Sequence, residues 1–274
     1  MRRPFDVLLA TSALAALAFL VLPLVALFAR VPIDELVRQL GSEGARDALL
    51  VSLKTSAIAH VVILLAGTPF AYLLATRSFP GRRIALLLVE LPLVLPPAVA
   101  GIGLLAAFGR RGLLGDELDA LGVRLPFTQA AVVIAIVFVA SPFYVRAAVA
   151  AFASVDRDLI DVSRTLGARP SRTFARVALP LAAGGLGAGS SLAFARGLGE
   201  FGATIIFAGS FRGETQTAPL AIYALLDLEF DAALALGALL VVVSVALLVL
   251  VNLLTAWTRS ASTWNIRSAA STST

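Results

Sequence analysis

DVSRTLGARPSRTFARVALP, the stretch Asp161–Pro180, is a polar, arginine-rich segment with one glycine, set between two apolar runs of membrane-spanning length. The chain as a whole is 59% hydrophobic and has a mean hydropathy of +0.94, so it offers few places for a polar segment of this length. We therefore interpret this stretch as a loop through which a membrane domain docks on a water-soluble partner.

Six apolar runs in the 274 residues are long enough to cross a hydrocarbon core of about 30 Å, which takes about 20 helical residues. We predict an all-α polytopic membrane protein with six transmembrane helices, a single transmembrane domain over residues 1–256 and a disordered cytoplasmic tail over residues 257–274. The predicted spans are 7–29, 48–75, 84–108, 129–151, 181–208 and 233–256.

The start of the chain allows two interpretations. Arg2 and Arg3 precede the first apolar run, as they would in a signal peptide. The run is longer than a signal core and no clear small-x-small cleavage site follows it, so a retained anchor is the favoured interpretation.

Loop charges predict the orientation of the chain. One set of loops, which includes both termini, carries 13 arginines against four aspartates, for a net charge of +9, and the opposite set is net −3. The positive-inside rule then places both termini and the 156–180 loop in the cytoplasm. The arginines of the positive face are at positions 2, 3, 77, 82, 83, 146, 157, 164, 169, 172, 176, 259 and 267.

Composition also excludes several classes of function. The basic residues lie mainly beside predicted spans, so topology explains the net charge of +5 without nucleic-acid binding. The absence of cysteine excludes disulfides and thiolate metal sites. No metal-ligand cluster or nucleophile–base set occurs, so we expect no catalytic site and no metal site. Leu53 stands before the single lysine, Lys54, where a phosphate-binding loop requires glycine, so any ATP must be hydrolysed by another subunit.

Three prolines interrupt the start of the third span, at positions 92, 96 and 97. Proline removes a backbone donor and kinks or ends a helix. A bend beside a translocation path and a helix that simply begins near Pro97 are both compatible with this pattern.

Residues 158–180 have the pattern of two short helices joined by a turn. Asp158–Leu166 can form the first, Gly167 can supply the turn, and Pro170 suits the first turn of the second. Phe174, Val177 and Leu179 give the second helix an apolar side.

This loop resembles the EAA loop of importer-type ATP-binding cassette (ABC) permeases, which has Glu-Ala-Ala, a glycine four residues later and an aliphatic-x-Leu-Pro end. Gly167, Val177, Leu179 and Pro180 fall at the matching places, whereas Asp-Val-Ser replaces Glu-Ala-Ala at Asp161–Ser163. The resemblance implies insertion in a cleft of a separate ATPase subunit. The coupling residues it implies are Asp161, Ser163, Gly167, Ala168, Phe174, Val177, Leu179 and Pro180.

The resemblance covers most of residues 48–256. The segments 91–115, 126–156 and 196–223, together with VSLKTS at the start of the second span, resemble molybdate and tungstate permeases, and GEFGA followed by Gly213, Thr215, Thr217 and Pro219 is the most specific part. It implies a type I ABC importer-like fold in a bacterial or archaeal inner membrane, with ATP-Mg bound by the partner and no cofactor in this chain. The implied partners are two ATPase subunits, a periplasmic or lipid-anchored binding protein and a second copy of this chain. Sulfate permeases share a similar GE[FY]G element, so a sulfate or thiosulfate permease is the alternative.

The fifth predicted span has a small, partly polar face formed by Gly189, Ala193, Gly197, Glu200 and Thr204. Charges inside a span usually face a cavity or a partner, and Arg196 and Glu200 can pair at i, i+4. One interpretation is that this face lines the anion path, with Glu200 as a gate, and the other is that small residues only let helices pack closely. The candidate path residues are Ser190, Ser191, Arg196, Glu200 and Thr204.

A self-sufficient ion-coupled secondary transporter is the alternative of a different class. It predicts buried carboxylate or histidine relays and internal repeats, and neither is clear in this sequence. His60, the only histidine, is interpreted as a hydrogen-bonded packing residue and not as a proton relay.

Overall fold

The computed structural model describes the backbone of residues 2–271 and the side chains of residues 5–250 and Leu253. Within that range every regular element is a helix. The elements are α1 (Arg2–Arg30), α2 (Ile33–Gly41), α3 (Glu43–Thr76), α4 (Arg82–Val94), α5 (Pro97–Phe108), α6 (Gly115–Ala120), α7 (Gln129–Ala153), α8 (Arg157–Thr165), α9 (Pro170–Thr173), a π-helical turn (Phe174–Ala178), α10 (Leu179–Leu198), α11 (Gly202–Phe207), α12 (Ala218–Leu225) and α13 (Phe230–Ser271).

The structure agrees with the prediction of six spans when α4 and α5 are counted as one broken span. Five helical segments in the described part of the chain are individually long and apolar enough to cross a membrane, and α4 and α5 pass the same test as a pair bent by 118°. The five segments are Phe5–Arg30, Glu43–Thr76, Gln129–Ala153, Pro170–Leu198 and Phe230–Leu250.

Prolines cause the bend in the third span. Helix α4 ends at Val94 and α5 begins at Pro97. Proline is well tolerated at the first position of a helix, because the N–H it lacks has no partner within the helix. Because Pro96 and Pro97 have no N–H, the carbonyls of Pro92 and Leu93 cannot receive the usual i+4 helical hydrogen bond. A helix does begin at Pro97, but α4 precedes the break, so the third span is bent there; the position of this bend beside a translocation path stays a prediction.

The core lies between α3, α7 and α10, and alanine dominates it. Ala59 and Ala71 in α3 and Ala135, Ala140 and Ala148 in α7 are completely buried. Small side chains let helix backbones approach closely, which is a main source of helix association within lipid. A polar contact supplements this packing: the hydroxyls of Thr68 and Tyr144 are 2.6 Å apart, across α3 and α7.

Side chains at three helix starts satisfy backbone donors that would otherwise have no partner. The Ser42 hydroxyl accepts from the Ala45 N–H at α3, the Thr128 hydroxyl from the Ala131 N–H at α7, and the Asp156 carboxylate from the Asp158 N–H at α8. These caps fix where the second and fourth spans and the polar loop begin.

The two ends of the chain differ from the core. Helix α1 contacts α13, yet its described side chains are almost all exposed. Helix α13 continues to Ser271, so the backbone of residues 257–271 is helical where the sequence predicts a disordered tail, and residues 272–274 of that tail lie outside the described residues. No glycine or proline follows Gly237, so nothing in the sequence interrupts the helix.

Candidate functional site

The polar loop has the predicted helix–turn–helix geometry. Helix α8 runs from Arg157 to Thr165, Gly167 has φ +80°, and α9 begins at Pro170. An added Cβ at Gly167 would meet no atom within 4 Å, so the positive φ, and not crowding, explains the glycine. The Ala168 N–H donates to the Ser163 carbonyl at 3.1 Å and closes the turn.

The sequence predicts that the second helix of the loop is short. In the structure it is instead the start of the fifth span. Helix α9 continues through the π-helical turn Phe174–Ala178 into α10, and the Leu179 N–H donates to the Phe174 carbonyl, five residues back. Pro180 explains the wider turn, because its ring would clash with the carbonyl four residues back in a regular α-helix. The loop is therefore continuous with α10.

An aromatic cluster of Tyr72, Phe152 and Phe174 joins the loop to two other spans. The Phe174 ring centroid is 4.8 Å from that of Tyr72 in α3 and 6.1 Å from that of Phe152 in α7. The hydroxyls of Ser163 and Thr173 are 3.0 Å apart and tie α8 to α9, and Thr173 is fully buried. The loop is thus anchored at its base to α3 and α7.

The outward side of α8 is apolar. Leu159, Val162 and Leu166 are 48%, 55% and 82% exposed, and their spacing places them on one face of the helix. Sequence reasoning missed this stripe, although its i, i+3, i+7 spacing is visible in the sequence. The candidate coupling residue Asp161 is exposed, lies 4.0 Å from Arg164, and is on the side of α8 away from the apolar stripe.

The remaining candidate coupling residues lie at the base of the loop. Phe174, Val177 and Leu179 are half-buried, which matches the apolar side predicted for them, and Pro180 is exposed. Beside them a cavity of about 230 Å³ separates α8 from the ends of α3 and α7. Its lining includes Tyr72, Phe152, Ile160, Asp161 and Arg164.

The small residues of α10 pack directly on α7. A Cβ added at Gly185, Gly189 or Gly197 would lie 2.5 to 2.8 Å from side-chain atoms of Ala151, Ala147 or Ile136. Such distances are too short for any larger residue without movement of a helix. The small face of this span therefore serves close helix packing within the subunit.

Glu200 lies in a break between α10 and α11, and not within a continuous span. Its side chain is 1% exposed, one oxygen accepts from the Ala203 N–H at 2.8 Å, and the other lies 2.8 Å from the Arg196 guanidinium. The predicted i, i+4 pairing of Arg196 and Glu200 is thus confirmed. The Glu200 carboxylate therefore accepts from a backbone N–H in the first turn of α11 and links this helix to Arg196 in α10. These contacts agree with the interpretation of Arg196 and Glu200 as a structural pair.

The other candidate path residues are also buried within the subunit. Ser190 lies 2.8 Å from the His60 ring, Ser191 donates to the Gly187 carbonyl at 3.1 Å, and Thr204 is fully buried. Only Arg196, with 29% of its side chain exposed, reaches the subunit surface. The hydrogen bond of His60 agrees with its interpretation as a packing residue, while the path role of the five residues stays a prediction.

Two segments of the family resemblance meet at the start of α12. The Ser52 hydroxyl, in VSLKTS of α3, accepts from the Ala218 N–H at 2.7 Å. Nearby, the Thr215 hydroxyl accepts from the Phe211 N–H at 3.0 Å, and Thr215 and Thr217 are buried. Thr215 therefore orders the loop between α11 and α12.

Among the residues that the structure describes, no group of three or more His, Asp or Glu side chains could hold a metal ion. The ion pair of Arg146 and Glu90, which lie 3.4 Å apart across α7 and α4, was not predicted from the sequence. Their 56-residue separation gives no local signal. Arg146, which the charge count assigns to the cytoplasmic face, lies inside a span, and its removal from that count leaves the sign of the face unchanged.

The sequence of this chain is similar to those of known transport proteins. Residues 67–260 match the family described as binding-protein-dependent transport system inner membrane component. The molybdenum transport system permease protein ModB of Mycobacterium bovis is 47% identical over 240 residues, covering 87% of this chain and 90% of that protein. ModB of Escherichia coli K12 is 42% identical over 77% of this chain and 92% of its own length.

More distant similarities agree on the fold. A probable sulfate transport system permease protein of Chlorokybus atmophyticus is 32% identical, covering 85% of this chain and 83% of that protein. A bacterial alginate ABC transporter, solved in complex with an alginate pentasaccharide-bound periplasmic protein, has a chain that superposes with a TM-score of 0.75 at 16% identity, covering 93% of this chain and 94% of that one. The two chains therefore share the fold of an ABC importer permease.

Proposed function

Since the chain belongs to the family of binding-protein-dependent transport system inner membrane components, we propose that it is the permease subunit of an ATP-driven molybdate importer. It is a multi-pass membrane translocation component and not itself an enzyme. The similarity to ModB proteins, at 47% identity over most of both chains, carries the assignment of the anion. Tungstate, an oxyanion of the same charge and shape, is expected to share the path.

The geometry of the polar loop carries the proposed coupling to ATP. Helix α8 presents Leu159, Val162 and Leu166 to solvent, and burial of such a stripe by a partner removes apolar surface from water. Gly167 turns the chain directly into the fifth span, and Phe174 holds the base of the loop against α3 and α7. A partner that moves α8 therefore moves three spans together.

We infer the following assembly and cycle. Two copies of this chain form a homodimer, with both termini in the cytoplasm, and each copy docks one ATPase subunit through its 156–180 loop. ATP-Mg, bound by the ATPase subunits, draws the two loops together and opens the path outward, and hydrolysis reverses the movement. A periplasmic or lipid-anchored binding protein delivers the anion and supplies most of its selection.

A sulfate or thiosulfate permease is the second candidate, favoured by the 32% identity to a probable sulfate permease. Reconstitution in proteoliposomes with the ATPase subunit and the binding protein separates the two. We expect uptake of labelled molybdate that requires internal ATP, with unlabelled tungstate competing better than sulfate. Preferential uptake of sulfate would favour the second candidate, and uptake driven by an ion gradient without ATP would contradict an importer of this class.

A further inference from the structure

An ion pair lies on the surface of the membrane-spanning part of the subunit. The Arg146 Nε atom in α7 is 3.4 Å from a Glu90 carboxylate oxygen in α4, and the two side chains are 59% and 42% exposed. The Arg196–Glu200 pair is different, because there the carboxylate is buried inside the subunit. The Arg146–Glu90 pair therefore faces something outside this chain.

The position of the pair along the helices places it inside the membrane. Arg146 precedes the end of α7, at Ala153, by seven residues, or about 10 Å at 1.5 Å per residue. Glu90 follows the start of α4, at Arg82, by eight residues, or about 12 Å. Both helix ends are expected at the cytoplasmic surface. Charged side chains at such a depth face a water-filled cavity or a partner, because lipid solvates charge poorly.

The helix break just beyond Glu90 points to water at the same place. The carbonyls of Pro92 and Leu93 have no helical donor, since Pro96 and Pro97 lack an N–H, and Pro96 is exposed at the subunit surface. Irregular backbone at membrane depth occurs only where protein covers it or where it lines a wet cavity. One wet cavity would solvate both the exposed ion pair and the two carbonyls that lack a helical donor.

We propose that Arg146 and Glu90 line the cytoplasmic half of the anion path, and that Arg146 contacts the oxyanion as it passes. This inference rests on the proposed function, since it assumes an anionic cargo. Glu90 holds Arg146 when no anion is present, so the pair is neutral and does not trap cargo. A divalent oxyanion then competes with Glu90 for the guanidinium, which donates two parallel hydrogen bonds to tetrahedral oxyanions.

Thiol labelling tests where the pair faces. The chain has no cysteine, so Glu90→Cys can be compared with Leu88→Cys in an unmodified background. Leu88 is 58% exposed on the opposite side of α4, since two residues turn a helix by about 200°. In the assembled complex, a water-soluble, membrane-impermeant thiol reagent with access to the cytoplasmic face should label Glu90→Cys faster than Leu88→Cys, and molybdate should slow only the first.

Each other labelling result overturns the inference. Equal rates at the two positions, or no effect of molybdate, would place the pair at the lipid boundary. A Glu90→Cys that is never labelled would place it in a dry contact with the second copy.

Transport by Arg146 variants independently tests whether Arg146 contacts the anion. Arg146→Gln should lower the rate of molybdate uptake about tenfold, which corresponds to loss of one charge-assisted contact, and Arg146→Lys should recover most of it. Both variants should bind the ATPase subunit as the wild type does. If the wild type takes up molybdate and Arg146→Gln does so at the same rate, the inference about Arg146 is wrong but the proposed function stands. If the wild-type complex does not take up molybdate, the proposed function itself is wrong.

Discussion

Replacement of Gly167 by alanine separates the geometry of the polar loop from its packing. Gly167 has φ +80°, and an added Cβ would have open space around it. Alanine therefore clashes with nothing outside its own backbone, and the expected penalty is that of a left-handed conformation, about 1–2 kcal/mol. The rest of the fold is expected to stay intact, because the loop projects from the membrane domain.

This penalty weakens docking when the free loop escapes the strain by leaving its native turn. If the ATPase subunit binds only the native turn, 1–2 kcal/mol raises the dissociation constant by at most about 5- to 30-fold. Gly167→Val should have a larger effect, because β-branched residues tolerate positive φ even less. The measurement is the Kd between the purified ATPase subunit and the permease in lipid nanodiscs.

A second glycine provides a matched control. Gly81, in the loop before α4, has φ +87° and equally open surroundings, and it is expected on the same side of the membrane. Gly81→Ala introduces the same backbone strain outside the docking loop and should leave the Kd unchanged. Equal losses of affinity in the two variants, or no loss in either, would refute the argument that the Gly167 turn presents α8 to the ATPase.

The other predictions concern stability and topology. Glu200→Gln should lower the free energy of unfolding in detergent by about 2–4 kcal/mol, since it leaves Arg196 without its partner. Glu200→Ala should lower it by about 1 kcal/mol more, since the hydrogen bond to Ala203 is also lost. Unchanged melting temperatures would contradict the structural role of the pair. Gly189→Ala should destabilise the protein by about 1–3 kcal/mol, because its Cβ would lie 2.6 Å from Ala147. Gly103→Ala, whose Cβ would lie in open space, should not destabilise it. Equal melting temperatures of the two variants would argue against close packing of α10 on α7. In intact cells an impermeant thiol reagent should label Leu121→Cys and not Ser78→Cys, and the reverse pattern would invert the predicted topology.

Local signals in the sequence predict much of this fold. Apolar run length identifies the spans, the prolines at 92, 96 and 97 mark the broken third span, and Gly167 with Pro170 marks the turn of the loop. Each of these signals acts within a few residues of its effect. They are therefore readable without knowledge of tertiary contacts.

Features that depend on distant partners were not predictable in the same way. The pairing of Glu90 with Arg146 and the capping of α12 by Ser52 join residues far apart in the chain. The same holds for the small face of α10, whose glycines could equally have lined a path. Only the positions of Ala147 and Ile136 on α7 show that these glycines are packing sites.

Crosslinking from the polar loop tests the central claim most directly. A photoreactive amino acid at Leu166, which is 82% exposed at the tip of the loop, should capture the ATPase subunit in the assembled complex. The same group at Leu113, which is 86% exposed in the loop predicted to lie outside the cell, should not. Capture from Leu166 alone is the result that the account predicts, and capture from Leu113 without capture from Leu166 would contradict it.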